Sequence, residues 1–218
     1  MECALREAAL SWKTHNEELL LLQEVTHRVT NEFTSVITTV SLAAACSKND
    51  EVKIALSQVV DRLQNYALVH RALQIPADDV PVDARAYLRQ LCRSIARSKL
   101  SSQGIELVLI EHPLELRSRQ CWRLGMIVSE LITNAARHAF GKAGGVIKIE
   151  LFADAHYAQC HVADNGTAHR GISPARGLRI IEALAKALNG KLEQQAGPRG
   201  TISLVSFPRN EVPSQPEL

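Results

Sequence analysis

The first 75 residues contain no glycine and no proline, and this absence constrains the fold more than any other feature of the sequence. Glycine and proline are the residues that most often interrupt or end a helix, so a long segment without them favours continuous helix. Apolar residues within the segment recur every three or four positions, which is the spacing of one helix face. We therefore predict two helices, over about 10–46 and 51–74.

The turn between these helices is Ser47-Lys48-Asn49-Asp50, in which Ser47, Asn49 and Asp50 are each a suitable N-cap for the second helix. The second helix has a sustained apolar seam, made by Val52, Leu56, Val59, Leu63, Tyr66, His70 and Leu73. A single antiparallel hairpin cannot bury stripes of this width. Pairing two hairpins into a four-helix bundle buries them, which predicts a homodimer.

Residues 74–81 include two prolines and two acids and have no periodicity, which indicates a domain boundary. Beyond it we predict helices over 83–100, 119–139 and 178–188 and strands over 105–110, 146–152, 157–162, 191–195 and 201–207. This order indicates an α+β fold, in which a helical hairpin precedes an α/β two-layer sandwich. The predicted units are 1–75 and 82–208, followed by a disordered tail over 209–218.

Composition excludes several classes of protein. A net charge of +2 is too balanced for a dedicated nucleic-acid binder, and no apolar run approaches the ~18 residues of a membrane span. The five cysteines form no C-x-x-C pair, which argues against a zinc site and a disulfide scaffold and favours a reduced cytoplasmic location. We expect neither nucleic acid nor membrane among its partners.

His27 is a candidate phosphoryl acceptor. On the heptad of the first helix it falls on the most exposed side, and Asn31 follows one turn later on the same face. A neutral imidazole is nucleophilic near pH 7, and Asn31 is placed to hydrogen-bond a phosphoryl group or orient a water. A solvated surface histidine without a role is the alternative.

The helix over 119–139 has four polar residues on one face, Glu130, Asn134, Arg137 and His138. An asparagine oxygen can ligate Mg²⁺, and an arginine can pair with phosphate oxygens. The alternative is a polar face that hydrogen-bonds to a loop.

Three glycine-containing stretches follow. Asp164-Asn165-Gly166 ends a strand, Gly177 begins a helix, and Gly197-Pro198-Arg199-Gly200 separates the last two strands. A strand-end carboxylate such as Asp164 can accept a hydrogen bond from the amine of a bound base. The same three residues also suit a simple turn.

The order of these motifs resembles a histidine kinase transmitter. It is similar to the subgroup related to the HWE kinases, in which the acceptor histidine is followed by arginine, as in His27-Arg28-Val29-Thr30-Asn31. The resemblance also includes Glu130-Leu131-Ile132-Thr133-Asn134 with Arg137-His138-Ala139-Phe140, and it extends over residues 20–208.

The resemblance implies a dimeric phosphotransfer hairpin and a Bergerat-type (GHKL) ATPase domain. His27 would be the phosphoacceptor, supported by Asn31, in a reaction that uses ATP and Mg²⁺ and ends on a response-regulator receiver domain. Asn134 would bind Mg²⁺ with support from Glu130, and Asp164 would bind the adenine amine. The remaining nucleotide-binding residues would be Arg137, His138, Gly166, Gly177, Gly200 and Thr201.

The sequence departs from the family pattern at two glycines, since Ala168 and Ala175 stand where the family has glycine. Only ten residues separate Gly166 from Gly177, so the nucleotide lid would be short. The twenty residues before the motif of His27 have no room for a sensor, which suggests a separate sensor protein or an absent upstream segment. The alternative to a kinase is a phosphorelay phosphotransferase with a degenerate ATPase-like domain, and a scaffold that sequesters a receiver is a third possibility.

Overall fold

The protein is described here from a computed structural model, which covers residue 24 and residues 28–76, 78–141, 144–167 and 176–209. The chain divides into two compact units, Met1–Ile75 and Pro76–Leu218. In the described part of the chain, no helix is long and apolar enough to cross a membrane.

The first unit has two helices, α1 over residues 28–46 and α2 over Asp50–Ala72. Asn49 is the N-cap of α2, because its side chain accepts hydrogen bonds from the backbone N–H groups of Glu51 at 2.9 Å and Val52 at 3.3 Å. Asp50 and Glu51 then place negative charge in the first turn of α2, where the helix dipole favours it.

The apolar seam of α2 is largely uncovered within one hairpin. Val52 and Val59 are each 45% exposed, and Tyr66 is 37% exposed. The other seam residues, Leu56, Leu63, His70 and Leu73, are half-buried. The hairpin therefore has more apolar surface than its own two helices can cover, which is the pattern from which we predict the homodimer.

The second unit contains seven strands and three α-helices in the described ranges. In chain order these elements are β1 (Pro81–Asp83), α3 (Ala84–Ile95), β2 (Ile105–Glu111), β3 (Glu115–Arg117), α4 (Ser118–His138), β4 (Gly145–Ala153), β5 (Tyr157–Asp164), α5 (Arg176–Ala187), β6 (Lys191–Gly197) and β7 (Gly200–Pro208). A π-helical turn, Ala96–Leu100, and a 3₁₀ turn, Ser101–Gln103, follow α3.

Five of the strands form one sheet in the order β2-β4-β5-β7-β6. β2 and β4 are parallel and the other pairs are antiparallel. One face of the sheet packs against the three helices. Alternate residues on this face are buried, among them Ile147, Ile149 and Leu151 on β4. The aliphatic two-layer sandwich expected from the sequence is therefore confirmed.

Two features of the second unit were not expected. β1 and β3 pair with each other in a small antiparallel sheet, and β1 begins inside the segment that the sequence indicated to be a linker. The predicted helix over 83–100 stays α-helical only from Ala84 to Ile95 and continues as the π-helical turn. Of the expected tail over 209–218, residues 210–218 lie outside the described residues, as do residues 168–175 between β5 and α5.

Candidate functional site

The polar face of α4 runs from a half-buried end to an exposed end. Glu130 and Asn134 are half-buried, whereas Arg137 and His138 in the last turn are exposed. Leu131, Ile132 and Ala135 on the other side of α4 are buried in the core. The side chains of Glu130 and Asn134 form no hydrogen bond with another described residue.

Asp164, the last residue of β5, lies against Gly200, the first residue of β7. Gly200 has a φ of +117°, and a Cβ there would lie 2.7 Å from the carbonyl carbon of Asp164 and 3.0 Å from its Oδ1. Ala163 pairs with Ile202 at the end of the β5–β7 ladder, so Asp164 and Thr201 each lie one residue beyond that last pair. The sequence separates these residues, and the β5–β7 pairing brings them together.

The side chain of Asp164 also forms a turn. Its Oδ1 accepts a hydrogen bond from the backbone N–H of Gly166 at 3.0 Å. Asn165 Oδ1 accepts one from the backbone N–H of Val146 at 2.8 Å. The turn interpretation of Asp164-Asn165-Gly166 is therefore correct for one carboxylate oxygen. The other oxygen has no partner in the part of the chain that the structure describes.

Gly166 connects this turn to the end of α4. Gly166 is buried, and the backbone N–H of Thr167 donates to the carbonyl oxygen of Ala139 at 3.1 Å. A Cβ at position 166 would overlap the carbonyl group of Ala139. Only glycine permits this approach, which fixes the start of the loop beside the residue that follows His138.

Gly177 lies in the first turn of α5, next to Glu130 of α4. A Cβ at position 177 would overlap Oε1 of Glu130 and would lie 3.2 Å from its Cδ. A carboxylate near a helix N-terminus is favourable, because the unpaired N–H groups there carry partial positive charge. The same property would favour a phosphate group at this place.

These contacts bring three of the predicted stretches together around the C-terminal half of α4. The predicted site residues that these contacts bring together are Glu130, Asp164, Gly166, Gly177, Gly200 and Thr201. His27 lies outside the described residues, as do Ala168 and Ala175. Asn31 is exposed on α1. His70 is half-buried beside Phe33 and lies 3.4 Å from Thr30 Oγ1 through its Nδ1, as expected for a histidine of the hairpin seam.

Sequence reasoning missed Lys99, which belongs to the π-helical turn and is half-buried. Burial lowers the pKa of the Lys99 ammonium, the positive charge of Arg137 lowers the pKa further, and the carboxylate of Glu130 opposes the change. No motif includes Lys99, so only the tertiary structure could reveal it.

A cavity of about 260 Å³ lies apart from these residues, between α3 and β2. A salt bridge between Arg89 and Glu111 lies within its lining. The lining residues are Arg89, Cys92, Arg93, Ala96, Leu107, Leu109 and Glu111, and none of them belongs to the motifs above.

The residues of α4 suit a Mg²⁺ ion only if water and substrate phosphates supply its remaining ligands. No group of three or more His, Cys, Asp or Glu in the described ranges could hold a metal ion, so a cage built by the protein alone is not observed there. Glu130 and Asn134 do present oxygens one turn apart on the same face. Mg²⁺ usually takes one or two protein oxygens and completes its shell with water and substrate phosphates, and these two residues suit that arrangement.

Comparison with known proteins supports the resemblance on both units. The family model described as "Histidine kinase" (HisKA_2) matches residues 24–99. The sensor histidine kinase PdtaS of Mycobacterium tuberculosis is 29% identical over 201 residues, which are 86% of this chain and 39% of that protein. The chain thus spans about two fifths of the length of this relative.

Two solved structures share the fold. The histidine kinase domain of the Erythrobacter litoralis EL346 blue-light activated histidine kinase aligns with a TM-score of 0.56 and 23% identity, over 90% of this chain and 94% of that one. A structure titled a bacterial phosphotransferase aligns with a TM-score of 0.59 and 12% identity, over 86% and 95%. The chain is therefore similar in sequence to sensor histidine kinases, and it shares the fold of a histidine kinase domain, a helical hairpin followed by an α+β two-layer sandwich.

Proposed function

We propose that the chain is a protein histidine kinase that transfers the γ-phosphoryl group of ATP to His27 and then to an aspartate of a response-regulator receiver domain. The observation that carries the proposal is the convergence on α4. Gly200 lies against Asp164, Gly166 against Ala139, and Gly177 against Glu130. Without the close approaches that these glycines permit, the three stretches could not surround one site.

Each residue then has a role that its position suits. The free oxygen of Asp164 accepts a hydrogen bond from the adenine amine, with Gly200 and Thr201 beside it. Arg137 and His138 bind phosphate oxygens at the exposed end of α4, and Gly166 and Gly177 border the lid. Glu130 and Asn134 hold Mg²⁺, which offsets negative charge on the triphosphate.

The phosphoryl transfer forms a bond between an imidazole nitrogen of His27 and the γ-phosphorus, while the bond from that phosphorus to the β,γ-bridging oxygen breaks and ADP leaves. The imidazole releases a proton to solvent, and Asn31, four residues further along the chain, supports the phosphoryl group. Transfer to a receiver then breaks the N–P bond and forms an acyl phosphate on aspartate.

The hairpin supports the partners of this reaction. The exposed seam of α2, with Val52, Val59 and Tyr66, fits a homodimer through a four-helix bundle. A receiver domain would dock beside His27. The input would come from a separate sensor protein or from sequence outside this chain, and the cytoplasmic location stays a prediction.

Incubation of the purified chain with γ-labelled ATP and Mg²⁺ tests the proposal. We expect an acid-labile, alkali-stable label that His27→Gln abolishes. Asn134→Ala should also abolish the label and leave the oligomeric state unchanged in size-exclusion chromatography. A label that persists in Asn134→Ala would show that our Mg²⁺ assignment is wrong.

A phosphorelay phosphotransferase is the second candidate. Ala168 and Ala175 replace family glycines, and the solved bacterial phosphotransferase has a similar fold. This candidate predicts no label from ATP but a His27-dependent label from a phosphorylated receiver domain. A chain that takes label by neither route would be a scaffold.

A further inference from the structure

The cavity between α3 and β2 has a volume of about 260 Å³ and includes no residue of the candidate nucleotide site. One wall is a single face of the helical segment, with residues at i, i+3, i+4 and i+7: Arg89, Cys92, Arg93 and Ala96. The other wall consists of alternate residues on one face of the strand: Leu107, Leu109 and Glu111. Regular elements of the second unit therefore form both walls, and no loop contributes to them.

The carboxylate of Glu111 has one oxygen with partners and one without. Its Oε1 accepts a hydrogen bond from Nε of Arg89 at 2.7 Å and another from Nη2 of the same guanidinium. Its Oε2 is buried and has no hydrogen-bond partner among the described residues. A carboxylate oxygen that has lost water without gaining a donor costs free energy, and a donor on a bound ligand would remove that cost.

Arg93 supplies a positive charge to the same cavity. It lies one turn after Arg89 on the same face of α3, and it is exposed to solvent. Its guanidinium forms no hydrogen bond or salt bridge with another residue that the structure describes. Because Arg89 pairs with Glu111, the charge of Arg93 is left uncompensated, and a guanidinium matches the two oxygens of a carboxylate.

The rest of the lining is apolar and consists of Cys92, Ala96, Leu107 and Leu109. An apolar lining with a few polar groups that fix orientation is typical of small-molecule sites. A cavity of about 150 Å³ holds benzene, so by proportion this one suits a ligand of about ten non-hydrogen atoms. The lining therefore calls for a small molecule with an aliphatic part and two polar groups.

We propose that this cavity binds a small zwitterion with an apolar body, of the class of the aliphatic amino acids. The ligand carboxylate pairs with Arg93, its ammonium group donates to Oε2 of Glu111, and its aliphatic part packs against Leu107 and Leu109. Glu111 repels a ligand that has only a carboxylate, and Arg93 repels one that has only an amine. The proposal is independent of the kinase reaction, since none of these residues has a role in it.

Calorimetric titration of the full chain with L-leucine tests the proposal. Isocaproate has the same carbon skeleton without the ammonium group, and isoamylamine lacks the carboxylate. We expect saturable binding of leucine and about tenfold weaker binding of each analogue, because each leaves one charged group of the cavity unpaired. Isocaproate that binds as tightly as leucine would overturn the proposal, and so would a chain that shows no saturable binding of leucine.

Arg93→Met should weaken leucine binding about tenfold and remove the preference for leucine over isoamylamine. Arg97→Met is the matched control, because Arg97 is the next exposed arginine along the helical segment and does not line the cavity. Leucine binding in this control should stay within about twofold of the parent. An equal loss in the two variants would overturn the proposal, since binding would then not involve this cavity.

Glu111→Gln should remove the preference for leucine over isocaproate, because the uncharged amide no longer attracts the ammonium group. A preference that persists in folded Glu111→Gln would contradict the role of Glu111 and overturn the proposal. Its urea midpoint identifies a folding defect from the lost salt bridge with Arg89. In that case Arg93→Met decides the matter, because the side chain of Arg93 is exposed and has no salt bridge in the described ranges.

Discussion

Gly200→Ala should destabilise the second unit and remove nucleotide binding, because position 200 is constrained in two ways. Its φ of +117° is strained for any residue with a Cβ, and that Cβ would overlap the carbonyl group of Asp164. Asp164 is paired with Ile147 in the sheet, so it cannot retreat without disturbing the ladder. The backbone strain and about one weakened ladder hydrogen bond together give a loss of about 3 kcal/mol in the free energy of unfolding.

Urea unfolding measures this loss through the fluorescence of Trp122 on α4, in a Trp12→Phe background that leaves Trp122 as the single tryptophan. With a slope of about 2 kcal/mol per molar, the midpoint should fall by about 1.5 M. Gly197→Ala is the control in the same hairpin, because a Cβ there meets nothing within 4 Å. It should change the free energy of unfolding by less than about 1 kcal/mol.

Equal midpoints for the two alanine variants would refute the reasoning, since it attributes the whole difference to the approach of Gly200 to Asp164. If Gly200→Ala remains folded at low urea, its ATP affinity should still fall more than that of Gly197→Ala. A stable Gly200→Ala that binds ATP normally would exclude Asp164 from the adenine site.

Three further predictions concern other parts of the chain. Asn49→Ala removes the N-cap of α2 and should lower the hairpin's stability by about 1 kcal/mol in thermal unfolding, whereas Lys48→Ala next to it should have little effect. The Ala86 backbone N–H and the Arg85 guanidinium lower the pKa of the Asp83 carboxyl below its ordinary value of 3.8. The ionised carboxylate therefore stabilises the fold fully above pH 3.8, and this stabilisation is lost as the pH falls through the lowered pKa of the folded state. Wild type should therefore exceed Asp83→Asn in urea midpoint at about pH 6 and lose that advantage progressively as the pH falls below 3.8, and a pH-independent difference would contradict this assignment. In thiol labelling of the native chain, the exposed thiol of Cys46 should react at once. Burial raises the pKa of the thiols of Cys92, Cys121 and Cys160, so these three should react only after unfolding. Their labelling in the folded chain would contradict this prediction.

Much of the local structure could be predicted because it depends on neighbours in the sequence. The turn at Ser47–Asp50 offered three caps, and Asn49 is the one whose side chain reaches two backbone N–H groups. The polar stripe of α4 follows from helical periodicity alone, because residues four apart share a face. The five strands of the main sheet have seven to nine residues each, which is long enough for strands to be predicted from the sequence.

The missed elements have a common cause. β1 and β3 have three residues each, which is too short for any periodicity, and their pairing joins Val82 to Leu116 across a distant part of the chain. The change from α- to π-helix at Ala96 likewise has no signal in the order of residues. Both the β1–β3 pairing and the π-helical turn depend on tertiary packing, which is present only in the folded chain.

The sequence by itself predicted a two-part organisation, and it determined the type and order of most elements and the polar residues that resemble those of a histidine kinase. It did so because helix breakers, caps and apolar periodicity act over a few residues. Only the tertiary structure decided that Asp164 lies against Gly200 and that Gly177 lies against Glu130. These approaches join residues far apart in the chain, and they depend on the sheet register and on glycines that leave room for a neighbouring backbone or side chain.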